Sequence, residues 1–145
     1  MASLPAPPSL KNLDLRLILE TPLRQFAIWF VMVLAVSLAG YPGVVCVTPL
    51  AWLIALRVGL VCAARSNTTA SAQRLLEAAL AGAFLGLMQG ILFIVVIQFV
   101  GPVQPDEQKN ALMLSAGMLL AGVFAGAVLS AFTAYLYDLR RPAMN

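Results

Sequence analysis

The stretch QRLLEAALAGAFLGLMQGILFIVVIQFV, Gln73 to Val100, decides the fold. Its only charges, Arg74 and Glu77, stand at its start. At about 1.5 Å per residue, a helix over it outruns the roughly 30 Å hydrocarbon core of a bilayer. Gly82, Gly86 and Gly90 recur in it at four-residue spacing, and Ala78 extends the series backward. Helical geometry puts such a series on one face. That face forms a smooth groove against which a second backbone can gain close dispersion contact. The stretch reads as a transmembrane helix with a glycine-zipper face.

Three more spans follow on either side. The first is expected over about 22–39, because Thr21 can cap a helix and Pro22 suits its first position. Gly40-Tyr41-Pro42-Gly43 then reads as a tight turn. The second is expected over about 44–64, with two options at Pro49. Either the helix kinks near Val45 or Cys46, or it starts late at Thr48-Pro49. Ser66 to Ser71 reads as a polar loop. The sequon Asn67-Thr68-Thr69 in it falls on the cytoplasmic side and should carry no glycan. The third span runs 73–100 and stops at Gly101-Pro102. The fourth runs 106–137, opened by Pro105-Asp106-Glu107, a proline and two acids at a positive dipole end.

The fourth span repeats the small-residue pattern with Gly122, Gly126, Ser130 and Ala134. These two stripes predict a tight hairpin between the last two helices; docking of another protein or a second copy is the alternative. Leu80 to Gly86 also echoes Leu120 to Gly126, which shared packing demands explain. Ahead of the spans, residues 1–21 read as an arm. Pro5, Pro7 and Pro8 keep its start extended. Leu10 to Glu20 mixes period-two alternation with leucine content. An interfacial helix is favoured there over a strand.

Composition agrees with lipid as the solvent. The hydrophobic fraction is 61% and the charged fraction 10%, against roughly 25% charged in an average soluble domain. Mean hydropathy is +0.92. The formal net charge of +3 is a topology signal. Lys11, Arg16, Arg24, Arg65, Arg74, Arg140 and Arg141 fall on one side of this map, and Lys109 alone on the other. The rich side reads as cytoplasmic. The fold expected is therefore an all-α integral membrane protein: four transmembrane helices in an antiparallel bundle, both termini cytoplasmic, with a short N-terminal interfacial segment. Short loops and the lack of a cleavable signal point to a bacterial inner (plasma) membrane.

Chemistry is sparse. The absence of histidine removes the commonest metal ligand and proton shuttle. Cys46 and Cys62 lie in one helix, too far apart for a disulfide, and read as small apolar fillers. No nucleophile–base pair, carboxylate pair, phosphate loop or metal-ligand cluster is present. The basic residues form no aromatic-interleaved stripe, so nucleic acid is not expected. Neither a metal nor a cofactor is predicted. Three polar features stand out in the spans. Arg57 reads as a snorkelling cation or a partner of Glu77, with a ligand role as the sharper option. Gln89 reads as interhelical glue or a cavity-lining group. Ser115, Ser130 and Thr133 can bond back to their own helix carbonyls. The function expected is a non-catalytic accessory subunit of a larger membrane complex, energy-transducing or transport, with the lipid bilayer and other membrane subunits as partners. The alternative is a small homo-oligomeric transporter or channel with Arg57 and Gln89 near the pathway.

Overall fold

A computed structural model describes the backbone of residues 13–37, 41–68, 70–100 and 105–140. It describes the side chains of 13–36, 49–68, 70–96, 113 and 115–140. The proline-rich arm, Gly40, Gly101-Pro102 and Arg141 lie outside the described residues, as do the side chains of Cys46, Gln98 and Lys109. The described chain is all-helical, with four helices. These are α1 (Leu15–Ser37), α2 (Tyr41–Arg65), α3 (Ser71–Val100) and α4 (Pro105–Arg140). Three segments are long and apolar enough to cross a membrane: Leu15–Val36, Ser71–Val96 and Ser115–Arg140.

The first helix starts earlier than Thr21-Pro22 predicts. Asp14 is its cap: the side-chain Oδ1 accepts the Leu17 N–H at 3.0 Å, which satisfies a donor the helix itself leaves free. Glu20 pairs with Arg16 at 3.1 Å and with Arg24 at 2.6 Å, each one turn away. These exposed pairs add only tenths of a kcal/mol; the second spans Pro22, which is buried inside the helix. Of the segment read as interfacial, Leu15 to Glu20 thus form the start of α1, and residues 10–12 lie outside the described residues. The second helix starts at Tyr41, so the late start at Thr48 is not taken and Pro49 lies inside it. Pro42 sits in the first turn, where its missing N–H costs nothing. The third and fourth helices begin close to where the sequence places them.

Contacts link α3 to α4, α2 to both α3 and α4, and α1 to α2 and α3. Among the described residues the backbones of α1 and α4 do not come close together. The core follows from this. One cluster joins all four helices through Leu17, Ala55, Val58, Cys62, Leu85 and Ala134. A second, around Trp29, Val33 and Val96, draws only on α1, α2 and α3.

Candidate functional site

At one end of the bundle, polar side chains converge. Glu77 is 2% exposed. Its carboxylate accepts the Ser66 hydroxyl at 2.7 Å and the Asp14 N–H at 3.3 Å. That joins the start of α1, the end of α2 and the start of α3 in one network. Beside it, Arg74 Nε lies 3.0 Å from Asp138 Oδ1, with both side chains mostly buried. Neither atom lies on a hydrogen-bond line to an acceptor or donor, so Coulomb attraction rather than a directed bond holds this pair. Arg74 Nη1 donates to the Thr68 carbonyl at 2.9 Å and so also clamps the α2–α3 loop.

Arg57 does not join this network. The buried face of α2 is Ala55, Val58, Gly59, Cys62 and Ala63, at three- and four-residue spacing. Arg57 falls off that stripe and is exposed. Its expected pairing with Glu77 is replaced by Ser66 and Asp14, which reach the carboxylate from the adjoining helix ends.

Below the polar end, glycine sets the α3–α4 distance. A Cβ on Gly82 would overlap the Gly126 carbonyl, and one on Gly86 would overlap the Gly122 carbonyl. A Cβ on Gly90 would lie 3.0 Å from Leu119 Cα. The two stripes thus face each other within one chain. Ser130 departs from expectation. It does not bond back along α4; its hydroxyl donates to the Ala55 carbonyl of α2 at 2.7 Å, fully buried. Gly59 makes this possible, since any Cβ there would overlap the Ser130 backbone. Thr133 does bond back, to the Leu129 carbonyl at 2.7 Å.

Where α4 parts from α1, a cavity of about 210 Å³ remains. Trp29, Ala51, Trp52, Gln89, Phe93 and Ala121 contribute to its wall, together with the outer sides of Gly122 and Gly126. Among the described residues no charged side chain lines it, Arg57 included. Trp29 and Gln89 each also keep one polar atom, Nε1 and Nε2, that is buried out of reach of a water-sized probe and has no hydrogen-bond partner among the described residues. Each such group costs roughly 1–3 kcal/mol of desolvation with no return. Gln89 stands out in the sequence; Trp29 does not, because an indole in a span reads as core or belt.

The ion pair is likewise absent from the sequence reading, although a signal exists. One further four-residue step back from Ala78 reaches Arg74, and one step on from Ala134 reaches Asp138. The small-residue seam therefore ends in opposite charges on its two helices. Among the described residues no group of His, Cys, Asp or Glu is arranged to hold a metal ion. No family model, curated protein or solved structure matches this chain.

Proposed function

We propose that this chain is a non-catalytic subunit of a larger membrane complex, an energy-transducing or transport assembly in a bacterial inner membrane. One observation carries the reading. The buried charged groups Arg74, Glu77 and Asp138 are held by the chain's own atoms at one end of the bundle, and none lines the cavity. A relay or catalytic centre needs a titratable group facing its substrate or pathway, and the internal partners of these three groups support the non-catalytic reading.

The topology proposed with it is an antiparallel four-helix bundle with both termini cytoplasmic. Support comes from the contact order along the seam: Gly82 with Gly126, Gly86 with Gly122, Gly90 with Leu119, one number rising as the other falls. Orientation is supported by basic residues at the joined ends. The contacts among Asp14, Ser66, Glu77, Arg74 and Asp138 gather the helix ends that carry Arg16, Arg65 and Arg140, and a basic side is retained in the cytoplasm.

Gentle detergent extraction, then a native gel and mass spectrometry of comigrating chains, tests the reading. Large stoichiometric partners are expected. A chain that runs alone, or only with its own copies, refutes it. The second reading, a homo-oligomeric transporter or channel, draws on the exposure of Arg57. A cation on the outer face of α2 is placed to meet a second copy, and a ring of arginines would select anions. Anion flux into liposomes, lost in Arg57→Ala, would favour it; flux equal to that of empty liposomes would remove it.

A further inference from the structure

The two halves of the bundle differ in apolar height. Residues 78–100 of α3 and 110–137 of α4 carry no charge. At helical rise these runs measure about 34 and 42 Å, more than the roughly 30 Å hydrocarbon core. The other two helices fall short. Arg24 leaves α1 only residues 25–37 without charge, and Arg57 leaves α2 only residues 41–56. These runs measure about 20 and 24 Å.

The two arginines stand at one level. The Glu77 carboxylate accepts from both Asp14 and Ser66, which brings the start of α1 and the end of α2 together. Arg24 lies nine residues in from Leu15, and Arg57 eight in from Arg65, about 14 and 12 Å. They also share a side. Contacts of α1 with α2, α2 with α4, α4 with α3 and α3 with α1 close a ring. On α1, Phe26 faces α3 beside Met88 and Leu92, and Arg24 falls about 200° around the helix from it. On α2, Gly59 faces Ser130 of α4, and Arg57 likewise falls about 200° away. Each arginine is thus turned from its helix's other neighbour and borders the outer edge of the α1–α2 seam.

Both arginines are exposed. Glu20 is shared by Arg16 and Arg24, and Arg57 makes no ion pair with a described residue. A guanidinium facing hydrocarbon is costly, and the bilayer responds by thinning until headgroups reach it. An apolar run too short for the core thins it in the same sense. Guanidinium and phosphate then match in charge and in hydrogen-bond geometry. Arg16, Arg24 and Arg57 against Glu20 leave this edge net positive, which favours an anionic headgroup over a zwitterionic one. We propose that the outer edge of the α1–α2 seam binds one anionic phospholipid, its phosphate drawn below the surrounding headgroups onto Arg57 and Arg24. Its acyl chains continue over Ile28 and Leu53, exposed one turn deeper. The inference rests on the bundle's crossing the bilayer and not on the subunit reading.

The purified full chain in nanodiscs of equal dioleoylphosphatidylglycerol and dioleoylphosphatidylcholine tests it. Native mass spectrometry of the ejected chain counts the lipids it keeps. One phosphatidylglycerol per chain is expected, enriched over phosphatidylcholine. Arg57→Leu puts an apolar side chain where lipid is met, so helix content should hold. The enrichment should fall about fivefold, the worth of one cation near an anionic surface. Arg140→Leu, the same charge lost at the exposed end of α4, should leave it unchanged. Glu20→Gln, which frees Arg24 from a competing carboxylate, should raise it. Equal retention of the two lipids would overturn the proposal, as would wild-type enrichment in Arg57→Leu or an equal fall in Arg140→Leu. Lipid-free dimers that come apart in Arg57→Leu would overturn it in favour of a second copy on this edge. A chain that stays outside the discs would remove the membrane crossing and the lipid site with it; a chain inside them without lipid preference removes the lipid site alone.

Discussion

Gly122 and Gly126 have two sides, and the bundle treats them oppositely. Toward α3 a Cβ on Gly126 would overlap the Gly82 carbonyl, and one on Gly122 would lie a tight 3.3 Å from the Gly86 carbonyl oxygen. Toward α1 the same two residues border an open cavity. A small residue closes a seam only when the neighbour also arrives small. The third helix does so; the first carries Trp29 and Val33 at that level and stays apart. In lipid, tails are as apolar as leucine and do not drive the helices together, so nothing forces the gap shut.

The contrast can be broken at the end of the seam first. Arg74→Met leaves Asp138 buried without its cation. That should cost about 3–5 kcal/mol of unfolding free energy, measured by reversible denaturation in mixed micelles followed by helix content. Adding Asp138→Leu should recover most of the loss. If the single variant is as stable as wild type, the pair is ornamental.

Within the seam, Gly82→Val should cost about 3 kcal/mol, since the α3–α4 distance is set by backbone. On the cavity side, Ala121→Leu should change stability by less than about 0.5 kcal/mol, as substitutions away from packed features do. Equal costs at the two positions would erase the distinction between them. A smaller effect than that of Gly82→Val belongs to Ser130→Ala, about 1 kcal/mol for the lost bond to the Ala55 carbonyl. The last has the opposite sign. A methyl group on Gly117 would meet nothing within 4 Å, so Gly117→Ala should stabilise by about 0.5–1 kcal/mol through helix propensity alone. Destabilisation there would mean that an unrecognised neighbour packs on α4.

Much of this architecture is legible in the sequence. The extents of α3 and α4 follow from long uncharged runs with clear stops, and their facing stripes from four-residue spacing. The start of α1 is not legible, because a proline after a threonine carries the same local signal at a helix start as it does two turns inside one. Only the Asp14 bond to Leu17 decides it. Ser130 misleads for a similar reason. Its local carbonyl is always in reach, and the competing Ala55 carbonyl becomes available only through Gly59 on another helix. The fate of the buried Trp29 and Gln89 nitrogens is illegible in principle. Whether Trp29 and Gln89 find acceptors depends on where four helices end up, not on their neighbours in sequence.

The bond from Ser130 to Ala55 joins residues 75 positions apart, and that separation is also an interval of time. At ribosomal speeds of about 5–20 residues per second, Ser130 is made about 4–15 s after Ala55. Throughout that interval the Ala55–Gly59 face of α2 lacks its final partner. The cluster of Trp29, Val33 and Val96 draws on no described residue of α4, so that part of the core has all its residues before the fourth helix is made.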